Sequence, residues 1–125
     1  MGTWGTGAFD NDAACDWSAD LTEADDLSLV EDTLSSAEEA DEDELDLDLA
    51  REAIAACEVV ARLQGRGGRP SAHTAELDQW IKARAAKPSP RLVRSATNVL
   101  DRVASSSDLA PLRDSALDLR KRVAG

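Results

Sequence analysis

Residues 49–64 constrain the fold more than any other part of the chain. Leu49, Ala53, Ile54, Cys57, Val60, Ala61 and Gln64 recur at helical spacing, and Ala50, Ala55, Ala56 and Val59 widen the stripe they trace. A helix apolar over so much of its circumference must be covered from several sides, so this segment is expected to be the central helix of a packed domain. Gly65 follows in the position of a left-handed helix-ending residue, and residues 65–70 then read as a loop.

The rest of the chain supplies segments to cover that helix. Asp10, Asn11 and Asp12 are candidate N-caps for a first helix that runs to about Leu21, with Trp17 on its buried side. After a cap-rich break at residues 22–26, Leu27, Val30, Leu34 and Ala37 follow at spacings of 3, 4 and 3. Leu77, Trp80 and Ile81 form the apolar face of a helix at about residues 74–86. Ser89 followed by Pro90 is a helix start, and Leu92, Val93, Ala96, Val99, Leu100 and Val103 are the inward set behind it. A last helix is expected from a cap at Ser107, with Pro111 early enough to be tolerated. Leu109, Leu112, Ala116, Leu119 and Val123 repeat along it, and Arg120, Lys121 and Arg122 suit its negative end.

Two segments lack helical signals. Residues 1–12 form a glycine-rich arm in which Trp4 and Phe9 are the natural anchors. Residues 38–48 read as an acidic loop: six of the seven positions 38–44 are Asp or Glu, and like charges at helical spacing cost about 0.2–0.5 kcal/mol per pair. Within it, residues 45–49 alternate Leu and Asp, which permits a very short extended piece. A length of 125 residues suits one domain, and a 42% apolar fraction argues against wholesale disorder. The expected architecture is all-α: one domain, 1–125, of about six helices behind a glycine-rich arm.

Charge divides the chain. Residues 1–50 hold 17 acids and no Lys or Arg, whereas residues 51–125 hold 8 acids and 14 bases, so the two parts carry −17 and +6. The basic helices can lie beside the acidic ones and screen them, but an excess of 11 negative charges remains. Nucleic-acid binding is disfavoured, because phosphate contacts need a positive surface. A basic protein is the expected partner, and Glu38, Glu39, Asp41, Glu42, Asp43 and Glu44 are the candidate contact residues. The alternative is a small-molecule or cation site where Trp4, Asp10, Asn11, Asp12, Asp16 and Trp17 gather carboxylates beside aromatic rings. Helix capping and aromatic packing explain the same residues without a ligand.

Catalytic signals are weak. His73 is the sole histidine, no Cys or His has metal-ligand spacing, and Cys15 and Cys57 read as core thiols. A Cys57–His73 dyad has nothing in its context to activate the thiol. Neither Asp10-x-Asp12 nor Asp46-x-Asp48 continues as an EF-hand loop, and residues 65–69 lack the ending of a P-loop. No enzyme, cofactor or metal is therefore expected. No segment is apolar enough for a membrane span, and the opening residues lack a secretory pattern, so a reducing, cytoplasmic setting is expected. Eleven Arg against three Lys and 22 Ala suggest a GC-rich, bacterial genome.

One resemblance stands out. Gly2, Trp4, Gly5, Gly7, Phe9, Asp10, Asn11, Asp12, Ala13, Asp16 and Trp17 match the opening pattern of domain-of-unknown-function family 4259, a family of small bacterial proteins. The Ala-rich stretch at residues 52–61, the closing Gly65, Trp80 and residues 100–103 are similar to its middle and later helices. The last helix departs from the pattern, with Arg113 and no late Trp. The resemblance implies a small helical protein and brings no activity with it.

Overall fold

The computed structural model describes residues 12–24, 26–41, 44–66, 75–84 and 87–124. Among them there are six α-helices and no strand: α1 (Asp12–Thr22), α2 (Ser28–Glu39), α3 (Leu47–Leu63), α4 (Ala75–Arg84), α5 (Pro90–Ser105) and α6 (Arg113–Ala124). A 3-10 turn, Ser107–Leu112, precedes α6.

Helix α3 is central, as its sequence demands. It packs against all five other helices and the 3-10 turn. Every residue from Ala53 to Ala61 is buried, including Glu58. Its start is fixed by Asp46, whose carboxylate accepts a hydrogen bond from the Leu49 amide at 2.8 Å. Its end is a Schellman motif: Gly65 adopts φ +78°, the Arg66 amide donates to the Ala61 carbonyl and the Gly65 amide donates to that of Arg62. Helix α5 begins as the Ser-Pro pair dictates, with Ser89 Oγ accepting from the Leu92 amide at 3.1 Å.

Tryptophans tie the first helices together. The Trp17 indole N–H donates to Thr33 Oγ1 at 2.8 Å, linking α1 to α2 in the interior. The Trp80 indole N–H donates to the Ala24 carbonyl at 2.9 Å, so α4 also closes the link that follows α1.

The structure corrects three expectations. The acidic loop is shorter than residues 38–48, because Glu38 and Glu39 finish α2 and Asp48 lies in α3. Arg102 explains the first extension: its guanidinium donates to the Ala37 and Glu38 carbonyls at 2.6 and 3.1 Å, supplying a cation to the negative end of α2. The Leu/Asp alternation at residues 45–49 is the buried Leu45, a cap and the first turn of α3, not an extended piece. The last helix does not run unbroken from Ser107. A proline at the fifth position lacks an N–H and clashes with the carbonyl four residues back, so residues 107–112 take 3-10 form and the α-helix starts at Arg113. Val93, expected inward, is half-buried and packs against the core.

Candidate functional site

Position along each helix decides which acids face solvent. On α1, Ala14, Trp17, Ser18 and Leu21 are buried, so Asp12, Asp16 and Asp20 fall four residues apart on the exposed side. On α2, Val30, Thr33, Leu34 and Ala37 are buried, and Glu31, Asp32 and Glu39 are exposed. Asp41, Glu44, Asp46 and Asp48 continue the exposed acidic surface into α3. Asp12, Asp16, Glu31, Asp32 and Glu39 form no ion pair with any described residue.

The two groups of candidate residues fare differently. Glu39, Asp41 and Glu44 are exposed, the Asp41 amide donates to Glu44 Oε1 at 3.1 Å, and Glu42 and Asp43 lie outside the described residues. Glu38 is half-buried and accepts from the Asn98 amide at 3.4 Å. In the aromatic–aspartate group, Trp4, Asp10 and Asn11 lie outside the described residues, as do His73 and the rest of the glycine arm up to residue 11, whereas Asp12 begins α1. Trp17 is 4% exposed with its N–H satisfied by Thr33, whereas Asp12 and Asp16 face solvent. Among the described residues the indole and these carboxylates are therefore not gathered into one site.

Negative charge is dense enough to disturb one carboxylate. Glu52 has its pKa raised, first by partial burial and then by Asp48, Asp46 and Asp20. The crowding brings an α1 aspartate to the start of α3, a proximity that sequence spacing does not reveal.

Most of the arginines in the ion pairs are spent away from this surface. Glu58 is 3% exposed in the middle of α3 and is held by Arg122 of α6, whose Nη1 donates to Oε2 at 2.9 Å and to Oε1 at 3.3 Å. Arg62 Nε lies 3.5 Å from Glu58 Oε1, and its Nη1 pairs with Asp78 of α4. Arg122 also pairs with Asp118 at 2.9 Å, and Arg120 pairs with Asp101. A chain of alternating charges, Asp78–Arg62–Glu58–Arg122–Asp118, thus joins α4, α3 and α6. Sequence reading overlooked Glu58. The available signal was a Glu inside the apolar stripe with Arg62 one turn later, a spacing that allows an ion pair.

Between α2 and α5 lies an open groove of about 710 Å³. Glu31, Asp32, Glu38 and Glu39 line its α2 side, and Arg91 and Arg94 line its α5 side. Leu92 and the small Ser35 and Ser95 also contribute. Arg91 and Arg94 are exposed and reach no carboxylate among the described residues.

Reactive groups are sparse in the described residues. Cys57 is fully buried, its thiol pKa is pushed up by desolvation and then by Glu58, and its Sγ lies 3.6 Å from the Ala96 carbonyl. It is a packed thiol. Cys15 is only half-buried, so it is less of a core residue than expected. No group of three or more His, Cys, Asp or Glu among the described residues is arranged to hold a metal ion. No helix among them is long and apolar enough to cross a membrane.

The fold and surface define a small all-α domain with a strongly acidic exterior over its first two helices. The chain belongs to the DUF4259 family, described as a domain of unknown function, whose profile matches residues 2–118. The match spans α1 to α5 and the 3-10 turn and ends within α6. Neither a curated protein nor a solved structure matches the chain significantly.

Proposed function

We propose that this protein is a binding module, not an enzyme, and that its acidic N-terminal half docks a basic protein in the manner of an immunity protein, inhibitor or adaptor. One observation carries the reading. Carboxylates on the outer faces of α1 and α2 (Asp12, Asp16, Glu31, Asp32 and Glu39) stand without ion-pair partners among the described residues, while Arg62, Arg120 and Arg122 are engaged by acids of the second half. Screening within the molecule therefore leaves the first half with its negative field. Such a field accelerates and selects encounters with cationic surfaces. Two free thiols fit a reducing compartment, and a cytoplasmic, bacterial setting is part of the proposal.

The test is affinity capture from cells that carry the protein, at low and high salt, with the bound material identified by mass spectrometry. The comparison protein has Glu38, Glu39, Asp41, Glu42, Asp43 and Glu44 replaced by their amides, with its helicity checked by circular dichroism. The expected result is one stoichiometric basic protein, lost at high salt, because a Debye length of about 10 Å at 0.1 M screens exposed charges. Equal capture by the neutralised protein overturns the proposal.

A further inference from the structure

The acidic surface has one stretch where the sign of the charge changes across a depression. Along the α2–α5 groove, Glu31, Asp32 and Glu39 face Arg91 and Arg94, and none of the five forms an ion pair with a described residue. Opposite charges on adjacent helices ordinarily close on one another where their side chains meet. Here the groove separates them, and the small Ser35 and Ser95 leave it open. Each wall keeps its own charge facing whatever enters.

We propose that this groove seats an extended peptide segment of the partner that carries both signs of charge, with cationic side chains against α2 and carboxylates against α5. Strand geometry makes that pattern readable. Successive side chains of an extended chain point to opposite sides, so alternating Lys and Glu present all their cations to one wall and all their anions to the other. The α5 wall from Ser89 to Asn98 spans about 14 Å, room for about four extended residues. A uniformly basic segment meets the α2 wall but is repelled by Arg91 and Arg94. The groove therefore selects against the polycations that an acidic surface attracts without discrimination.

This inference rests on the acidic-surface reading for its α2 half and adds the α5 half. The experiment is fluorescence anisotropy at low salt with three labelled peptides of equal length. One alternates Lys and Glu, one is its block isomer with all Lys preceding all Glu, and one is all Lys. The alternating peptide is expected to bind about 10-fold more tightly than its block isomer. Replacing both arginines (Arg91→Glu with Arg94→Glu) should abolish that preference while strengthening all-Lys binding. If the block isomer binds as well as the alternating one, the groove proposal fails. All-Lys binding that survives in the same experiment would leave the broader acidic-surface reading standing. If no peptide binds, both readings fail. These arginines are exposed on the first turns of α5, so the double variant should fold, which circular dichroism verifies.

Discussion

Replacing Glu58 by Gln tests whether the buried charge chain holds the bundle together. The substitution keeps the side-chain volume and leaves no cavity, so only charge and hydrogen bonding change. Removing one partner of a buried ion pair costs about 3–5 kcal/mol when the other charge is left stranded. Neither arginine is fully stranded here: Arg62 keeps Asp78, and Arg122 keeps Asp118 with a side chain already 27% exposed. The expected loss is therefore about 2–3 kcal/mol, below the usual range for a stranded charge. Unfolding entropy near the midpoint is about 0.26 kcal/mol per degree for 125 residues, so the melting temperature should fall by about 10 °C. Urea denaturation of Glu58→Gln, Arg122→Met and the double variant supplies the cycle, with an expected coupling of about 1–2 kcal/mol. Asp101→Asn is the control: its partner Arg120 and Asp101 itself are both about half exposed, so it should cost at most about 0.5 kcal/mol. If Glu58→Gln costs no more than Asp101→Asn, or if the cycle is additive, the Glu58 chain is not a structural tie.

Three further outcomes follow from single observations. Ser89→Ala removes the acceptor for the Leu92 amide and should cost about 1 kcal/mol by urea denaturation; a loss below about 0.3 kcal/mol would contradict its role as a cap. In native protein treated with a thiol-titrating disulfide reagent, Cys15 should react ahead of the fully buried Cys57, and equal rates would contradict the packing around α3. Glu52 has a raised pKa, so its contribution to stability is fully present below the ordinary value of 4.5 and declines as pH rises through the folded value. Glu52→Gln should therefore raise the melting temperature at about pH 7 and lose that advantage at about pH 4; an advantage that persists at acid pH refutes the electrostatic cause.

Local signals decided most of the fold before any contact was known. The apolar stripe at residues 49–64 required a central helix, the Ser89-Pro90 pair required a helix start, and Gly65 supplied the left-handed residue that ends α3. Each is a short-range effect of backbone geometry or helical spacing. The misread segments were those where a distant group intervened or a local rule was overextended. Glu38 and Glu39 stay helical despite their repulsion because Arg102, some 64 residues further on, binds the carbonyls at the end of α2. Pro111 reads as early enough in the last helix to be tolerated, yet it is the fifth residue of its segment, and the α-helix starts only behind it.

The functional surface divides along the same line. Sequence alone settled that the first 50 residues carry all the uncompensated negative charge, because charge is a property of composition. Only the tertiary structure decided where that charge is usable. Packing commits Arg122 to Glu58 of the second half, seats Arg102 on the end of α2, and sets Glu31 and Asp32 across a groove from Arg91 and Arg94. Those outcomes depend on which helices become neighbours. Burial of apolar faces fixes that choice without regard to sign, so the pattern of charge between helices emerges only once the bundle has closed.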